Sequence, residues 1–121
     1  MPFQFVLTDL LAQIPEAQAV IFLDDSGETV EVATTEHSPE DLKILGAYFG
    51  IALRRARELL EPTAMGDLRM VYLRHQTTHL HGVCLPDGYF LVLLQTSPAL
   101  SAFARRRMRV AVADLERELF S

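Results

Sequence analysis

Residues 38–62 read SPEDLKILGAYFGIALRRARELLEP. This stretch decides the fold because it contains the signals for both the start and the end of a long helix. Ser38 is a typical N-cap, since its hydroxyl can accept a hydrogen bond from a backbone N–H of the first turn. Pro39 occupies the first helical position, where its missing N–H costs nothing, and Asp41 stands where a capping box places an acidic residue. Pro62 cannot continue a helix. The pattern therefore predicts one long helix that ends just before this proline.

This helix carries two apolar stripes. On a wheel of about 100° per residue, the first stripe consists of Leu42, Leu45, Phe49, Leu53, Ala56 and Leu60. The second stripe, beside it, consists of Ile44, Tyr48, Ile51 and Leu59. Together they span roughly 200°, about twice what a helix on one core needs. One stripe can pack on a sheet. The other needs a cover, either a loop or the first helix of the same chain, or the same helix of a second copy in a two-fold dimer.

The rest of the chain predicts strands and two further helices around this one. Helical spacing predicts a first helix over Phe5–Ile14, and a second Ser-Pro start signal at Ser97 and Pro98 predicts a last helix to Phe120 with Leu100 in its core stripe. Strands are predicted at Ala19–Leu23, Glu28–Thr34, Leu68–Arg74, Thr78–Leu85 and Tyr89–Gln95. The last of these is apolar on both faces, which is typical of a central strand.

The order α-β-β-α-β-β-β-α predicts one domain over residues 1–121. Its fold class is α/β (α+β), a three-layer sandwich with helices on both faces of a five-stranded, mainly antiparallel sheet.

The strand Leu68–Arg74 is a second reason to expect a dimer. It is apolar on both sides, with Met70 and Tyr72 facing one way and Val71 and Leu73 the other. It begins a meander and is expected at a sheet edge, where an apolar strand tends to pair with another chain. We therefore predict a homodimer interface. Arg55, which lies within the second stripe, either reaches across the two-fold axis or extends to water. The predicted interface residues are Ile44, Tyr48, Ile51, Arg55, Leu59, Met70 and Tyr72.

Composition limits the classes of partner. The chain has 121 residues, half of them hydrophobic, and a formal net charge of −5, which disfavours nucleic acid as the main partner. A lone cysteine, Cys84, is typical of a reducing compartment. The sequence has no apolar run of about 20 residues and no signal peptide, so we expect a cytoplasmic protein that does not insert into membranes.

No motif points to catalysis, a metal or a cofactor. The sequence lacks a phosphate-binding loop and a GxGxxG motif. His79 and His81 are either a pair of solvent-facing strand residues or, with His75 across the hairpin, part of a sparse metal site. Cys84 is expected on the opposite face of its strand, as a small hydrophobe rather than an activated thiol. Asp24 and Asp25 fit a turn. We therefore expect a protein that is not an enzyme.

The last helix carries a cluster of arginines. It consists of Arg105, Arg106, Arg107 and Arg109. With Arg117 the cluster either docks an acidic protein surface or forms a solvated helix face that is partly paired with Asp114 and Glu116.

The whole chain resembles the Roadblock family of dynein light-chain domains and bacterial regulators of Ras-like GTPases. The resemblance rests on AVIFLDDSG at 19–27, on the long helix at 42–60, and on GYFLVLL at 88–94 leading through Ser97 and Pro98 into the last helix. The run HQTTHLH at 75–81 is more histidine-rich than that pattern.

The resemblance implies a non-catalytic domain that dimerises through its long helix and the first strand of the meander. Family members bind small Ras-like GTPases or act as scaffolds in motor and signalling complexes. Two alternatives stay open: a small-molecule sensor of the PAS or GAF type, which needs an internal cavity, and a metal or thiol enzyme that uses the histidines or Cys84.

Overall fold

The computed structural model describes residues 2–96 and 101–120, so the start signal at Ser97 and Pro98 and the core position Leu100 lie outside the described residues. The element order is the predicted one. The elements are α1 (Pro2–Gln13), β1 (Ala17–Leu23), β2 (Thr29–Thr34), α2 (Pro39–Leu60), β3 (Met70–Arg74), β4 (Thr78–Cys84), a 3-10 turn (Pro86–Gly88), β5 (Phe90–Thr96) and α3 (Ser101–Phe120).

The five strands form one sheet in the order β2-β1-β5-β4-β3, and every pairing is antiparallel. β5 lies at the centre, and residues 90–95 are all buried. β2 and β3 are the two edges, and the edge position of β3 is the predicted one. Backbone pairing of β3 begins at Met70 rather than at the predicted Leu68. Just before it, at the end of β4, the N–H of Cys84 donates to the carbonyl of Arg69.

Two apolar cores lie on opposite faces of the sheet. The first joins the sheet to α1 and α3, and α1 begins earlier than predicted because Phe3 packs on Phe22, with ring centroids 5.4 Å apart. The second core joins the sheet to α2 alone. This three-layer arrangement confirms the predicted fold class.

The first stripe of α2 is the one that faces the sheet. Leu42, Phe49 and Leu53 are buried in the second core. Phe49 lies so close to β4 that a Cβ on Gly82 would come within 2.4 Å of its ring. The helix begins as predicted, with the backbone N–H of Asp41 donating to the hydroxyl of Ser38 over 3.1 Å.

Candidate interaction surface

The second stripe of α2 is exposed to solvent. The exposed fractions of its side chains are 58% for Ile44, 70% for Tyr48, 41% for Ile51 and 76% for Leu59. The first helix does not cover this stripe, because α1 packs against α3, β1 and β2 on the other side of the sheet. Within residues 2–96 and 101–120, no element of the chain buries it. Coverage by the first helix or a loop, the intramolecular alternative, is therefore wrong for the described residues.

The side chains of β3 divide between the two faces of the sheet. Val71 packs against the core beneath α2, and Leu73, two residues further along the strand, shares that face and is 41% exposed. Met70 and Tyr72 lie opposite Val83 and His81 and project to the α3 face. Val71 and Leu73 therefore share the face of α2, whereas Met70 and Tyr72, which are predicted at the interface, have their side chains on the other face.

The arginines of α2 differ in how they are held. Arg54 donates to the backbone carbonyl of Asp25 over 3.2 Å, and the guanidinium of Arg57 lies 5.2 Å from the centroid of the Phe90 ring. Both are half-buried, whereas Arg55 is exposed among the residues of the second stripe. Arg55 is thus the arginine of this helix best placed to meet a partner.

The expectation that His79 and His81 face solvent is wrong. His79 is 5% exposed and His81 is fully buried on the α3 face of β4. The hydroxyl of Tyr72 is hydrogen-bonded to Nδ1 of His79, and the Tyr72 ring stacks on that of His81 at 5.0 Å. Cys84 lies on the opposite face, as parity along the strand predicts. The described residues contain no group of three or more possible metal ligands.

His81 is held as a neutral imidazole. The side-chain amide of Gln95 donates to the carbonyl of Pro15 over 3.1 Å, so its oxygen lies 2.8 Å from Nε2 of His81 and accepts a hydrogen bond from the N–H at that nitrogen. Nδ1 is then the bare nitrogen, and no described residue hydrogen-bonds to it. Burial lowers the pKa of His81, and the hydrogen bond that His81 donates to Gln95 raises it only in part, while the nearby Arg105 and His79 lower it further.

We expect stability to depend on pH through His81. In the unfolded chain a histidine takes up a proton near pH 6.5, whereas the folded chain takes it up only at lower pH. Stability is therefore complete above about pH 6.5 and is lost as the pH falls from there toward the folded pKa. Urea unfolding between about pH 7.5 and about pH 5 measures this. His81→Gln should flatten the profile, and His75→Gln, at an exposed histidine, should leave it steep. A profile that is equally steep in His81→Gln would contradict the assignment.

An open cavity of about 650 Å³ borders the C-terminal end of α2. Arg57, Arg69 and Cys84 contribute to its walls, together with the carboxylates Glu61, Asp67, Asp87 and Glu116. Burial raises the pKa of the Cys84 thiol, and the adjacent Arg57 offsets this only in part, so the thiol is not an activated nucleophile. The cavity opens to solvent between charged walls, unlike the enclosed and mainly apolar sites that small ligands occupy. It gives a sensor role no support.

Asp24 has a structural role in the turn after β1. Its carboxylate accepts hydrogen bonds from the backbone N–H groups of Ser26 and Glu28, at 2.9 and 3.0 Å. Asp24 therefore shapes the turn, as the sequence predicts for this motif.

A Roadblock/LC7 domain from Streptomyces avermitilis superposes on the chain with a TM-score of 0.89, at 18% sequence identity over 98% of both chains. The chain has the Roadblock/LC7 fold. MglB from Myxococcus xanthus shares it at a TM-score of 0.86 and 14% identity, over 97% of this chain and 94% of that protein. MglC from the same organism matches at a TM-score of 0.72 and 21% identity, over 98% and 99% of the two chains. No protein-family model and no curated protein matches the sequence.

In this Roadblock fold, none of the described helices combines the length and the apolar character that a membrane crossing requires.

Proposed function

We propose that the chain is a homodimeric, non-catalytic interaction module, folded as one domain, that binds a small Ras-like GTPase and regulates or scaffolds it. The observations that carry the dimer are the exposed second stripe of α2 and the open edge of β3. Fully burying a large apolar side chain is worth about 1.5–3 kcal/mol. The four residues of the stripe, duplicated by a two-fold axis, would each gain part of this free energy on dimerisation, which offsets the cost of association.

The dimer that we propose joins the two sheets edge to edge. In a two-fold arrangement β3 pairs with its own copy, α2 packs on α2, and Leu73 extends the apolar contact along the strand. Arg55 then lies near the two-fold axis. Met70 and Tyr72 contribute backbone to the paired edge and keep their side chains on the α3 face.

The GTPase partner rests on the Roadblock resemblance and on the fold that the chain shares with MglB and MglC. A reducing, cytoplasmic location fits the lone cysteine.

Titration calorimetry with a Ras-like GTPase encoded beside its gene tests the partner. The GTPase is loaded in turn with GDP and with a non-hydrolysable GTP analogue, and we expect binding to at least one of these forms. The chain alone should release no phosphate from GTP. If neither form binds, the GTPase part of the proposal is refuted while the dimer is not.

A further inference from the structure

Charge is divided unevenly along the chain. Residues 1–42 contain nine carboxylates and no lysine or arginine, a formal charge of −9. Residues 43–121 contain all eleven cations and the other seven carboxylates, a formal charge of +4. The modest net charge of −5 thus hides two oppositely charged parts.

The acidic part includes a border of five carboxylates on β2, beside its two ends and in the first turn of α2. We call it the acidic edge, and it consists of Glu28, Glu31, Glu36, Glu40 and Asp41. Glu31 is half-buried and the others are exposed. β2 pairs with β1 alone, so this border lies at an end of the sheet. The two residues in the first turn of α2 stabilise that helix through its macrodipole, but the remaining three have no such role.

The basic part contains the arginine cluster Arg105, Arg106, Arg107 and Arg109 on α3. Three of these are exposed, and Arg106 and Arg107 lie over the ring of Phe103, at 6.0 and 5.2 Å. The cluster occupies the N-terminal half of α3, and Asp114, Glu116 and Glu118 follow in the C-terminal half. This order is the reverse of the one that stabilises a helix, so helix stability does not explain the cluster.

The two charged surfaces do not neutralise each other within one chain. Among residues 2–96 and 101–120 the salt bridge formed is between Arg117 and Asp114, and it involves neither the arginine cluster nor the acidic edge. Glu28, Glu31 and Glu36 lie on or beside β2, at the opposite end of the sheet from the β3 edge. Arg106, Arg107 and Arg109 are exposed on α3, across the sheet from α2. These residues therefore remain available in the dimer that we propose.

We propose that the arginine cluster of one copy docks on the acidic edge of another copy, which assembles the chain beyond the α2-mediated dimer. The contact joins two different surfaces, so each copy offers one of each and the assembly can extend. A single exposed ion pair contributes little, but the exposed arginines Arg106, Arg107 and Arg109 can act as a group on the carboxylates of the acidic edge. Because the groups are exposed, added salt should screen the contact strongly.

Sedimentation equilibrium of the full chain at two ionic strengths tests the contact. At about 0.01 M the Debye length is about 30 Å, and at about 1 M it is about 3 Å. We expect the mean mass to exceed that of the high-salt form at the lower ionic strength. The mass at high salt reports on the α2 contact separately, so failure of one contact does not hide the other.

Charge reversal identifies the surfaces. Arg106→Glu with Arg107→Glu should abolish the low-salt assembly, and so should Glu28→Arg with Glu36→Arg. A mixture of these two variants should assemble again, because each supplies the surface that complements the other. Lys43→Glu with Arg69→Glu adds the same negative charge at exposed residues outside the cluster and should still assemble. Circular dichroism checks that every variant is folded.

Three results would overturn the proposal. The first is a wild-type mass that does not change with salt. The second is assembly of both reversed variants on their own. The third is a mixture of folded variants that stays unassembled.

Discussion

Replacing Ile51 by glutamate should convert the homodimer into a folded monomer. Ile51 is 41% exposed in the single chain, so a glutamate at this position keeps its hydration when the chain is alone. In a two-fold dimer through the second stripe, two such carboxylates would be desolvated close to each other. We expect the dissociation constant to rise at least about 100-fold, which corresponds to about 2.8 kcal/mol.

Sedimentation at high salt measures this effect, and thermal unfolding followed by circular dichroism shows whether the chain stays folded. Lys43→Glu is a suitable control, because Lys43 is exposed on the same helix outside both stripes. This control should remain dimeric. If Ile51→Glu unfolds the domain outright, the second stripe belongs to the core. If the variant stays dimeric, the interface lies elsewhere.

The parts of the fold that were predictable depend on local signals. Ser38 and Pro39 mark the start of α2 because capping is a matter of neighbouring residues. The apolar run over 90–94 identifies a central strand, because a strand that is buried on both faces is apolar at every position and not only at alternate ones. The excess apolar surface of α2 was equally visible, since it follows from helical periodicity alone.

The parts that were not predictable depend on which helix covers which face of the sheet. Parity along a strand separates His81 from Cys84 but does not say which side α3 covers. For the same reason the pattern could not decide whether Met70 and Tyr72, or Val71 and Leu73, share the face of α2. The choice follows from the pairing of β3 with β4, a contact between separate segments of chain.

Gly82, which has no side chain, is the position at which the sheet and α2 approach each other most closely. A Cβ at this position would lie 2.4 Å from Cε1 of Phe49 and 3.5 Å from Cδ1 of Leu53. Gly82 also sits within the ladder between Val71 and Val92, so the strand cannot move away without breaking its pairing on both sides. The strain of an added methyl group must therefore be taken up by Phe49 and by α2.

We therefore expect Gly82→Ala to destabilise the domain by about 1–3 kcal/mol, as overpacking of a close-packed core does. Urea unfolding measures the loss. The matched test is a double variant with Phe49→Leu, which replaces the ring that clashes with the added methyl group by a smaller side chain. Phe49→Leu alone should cost stability by leaving a cavity, yet the double variant should be more stable than the sum of the two losses allows. Strictly additive losses would show that the methyl group is accommodated elsewhere.

The same substitution should also weaken dimerisation, because α2 carries the exposed second stripe and Gly82→Ala displaces this helix. Phe49→Leu, which relieves the displacement, should restore part of the dimerisation.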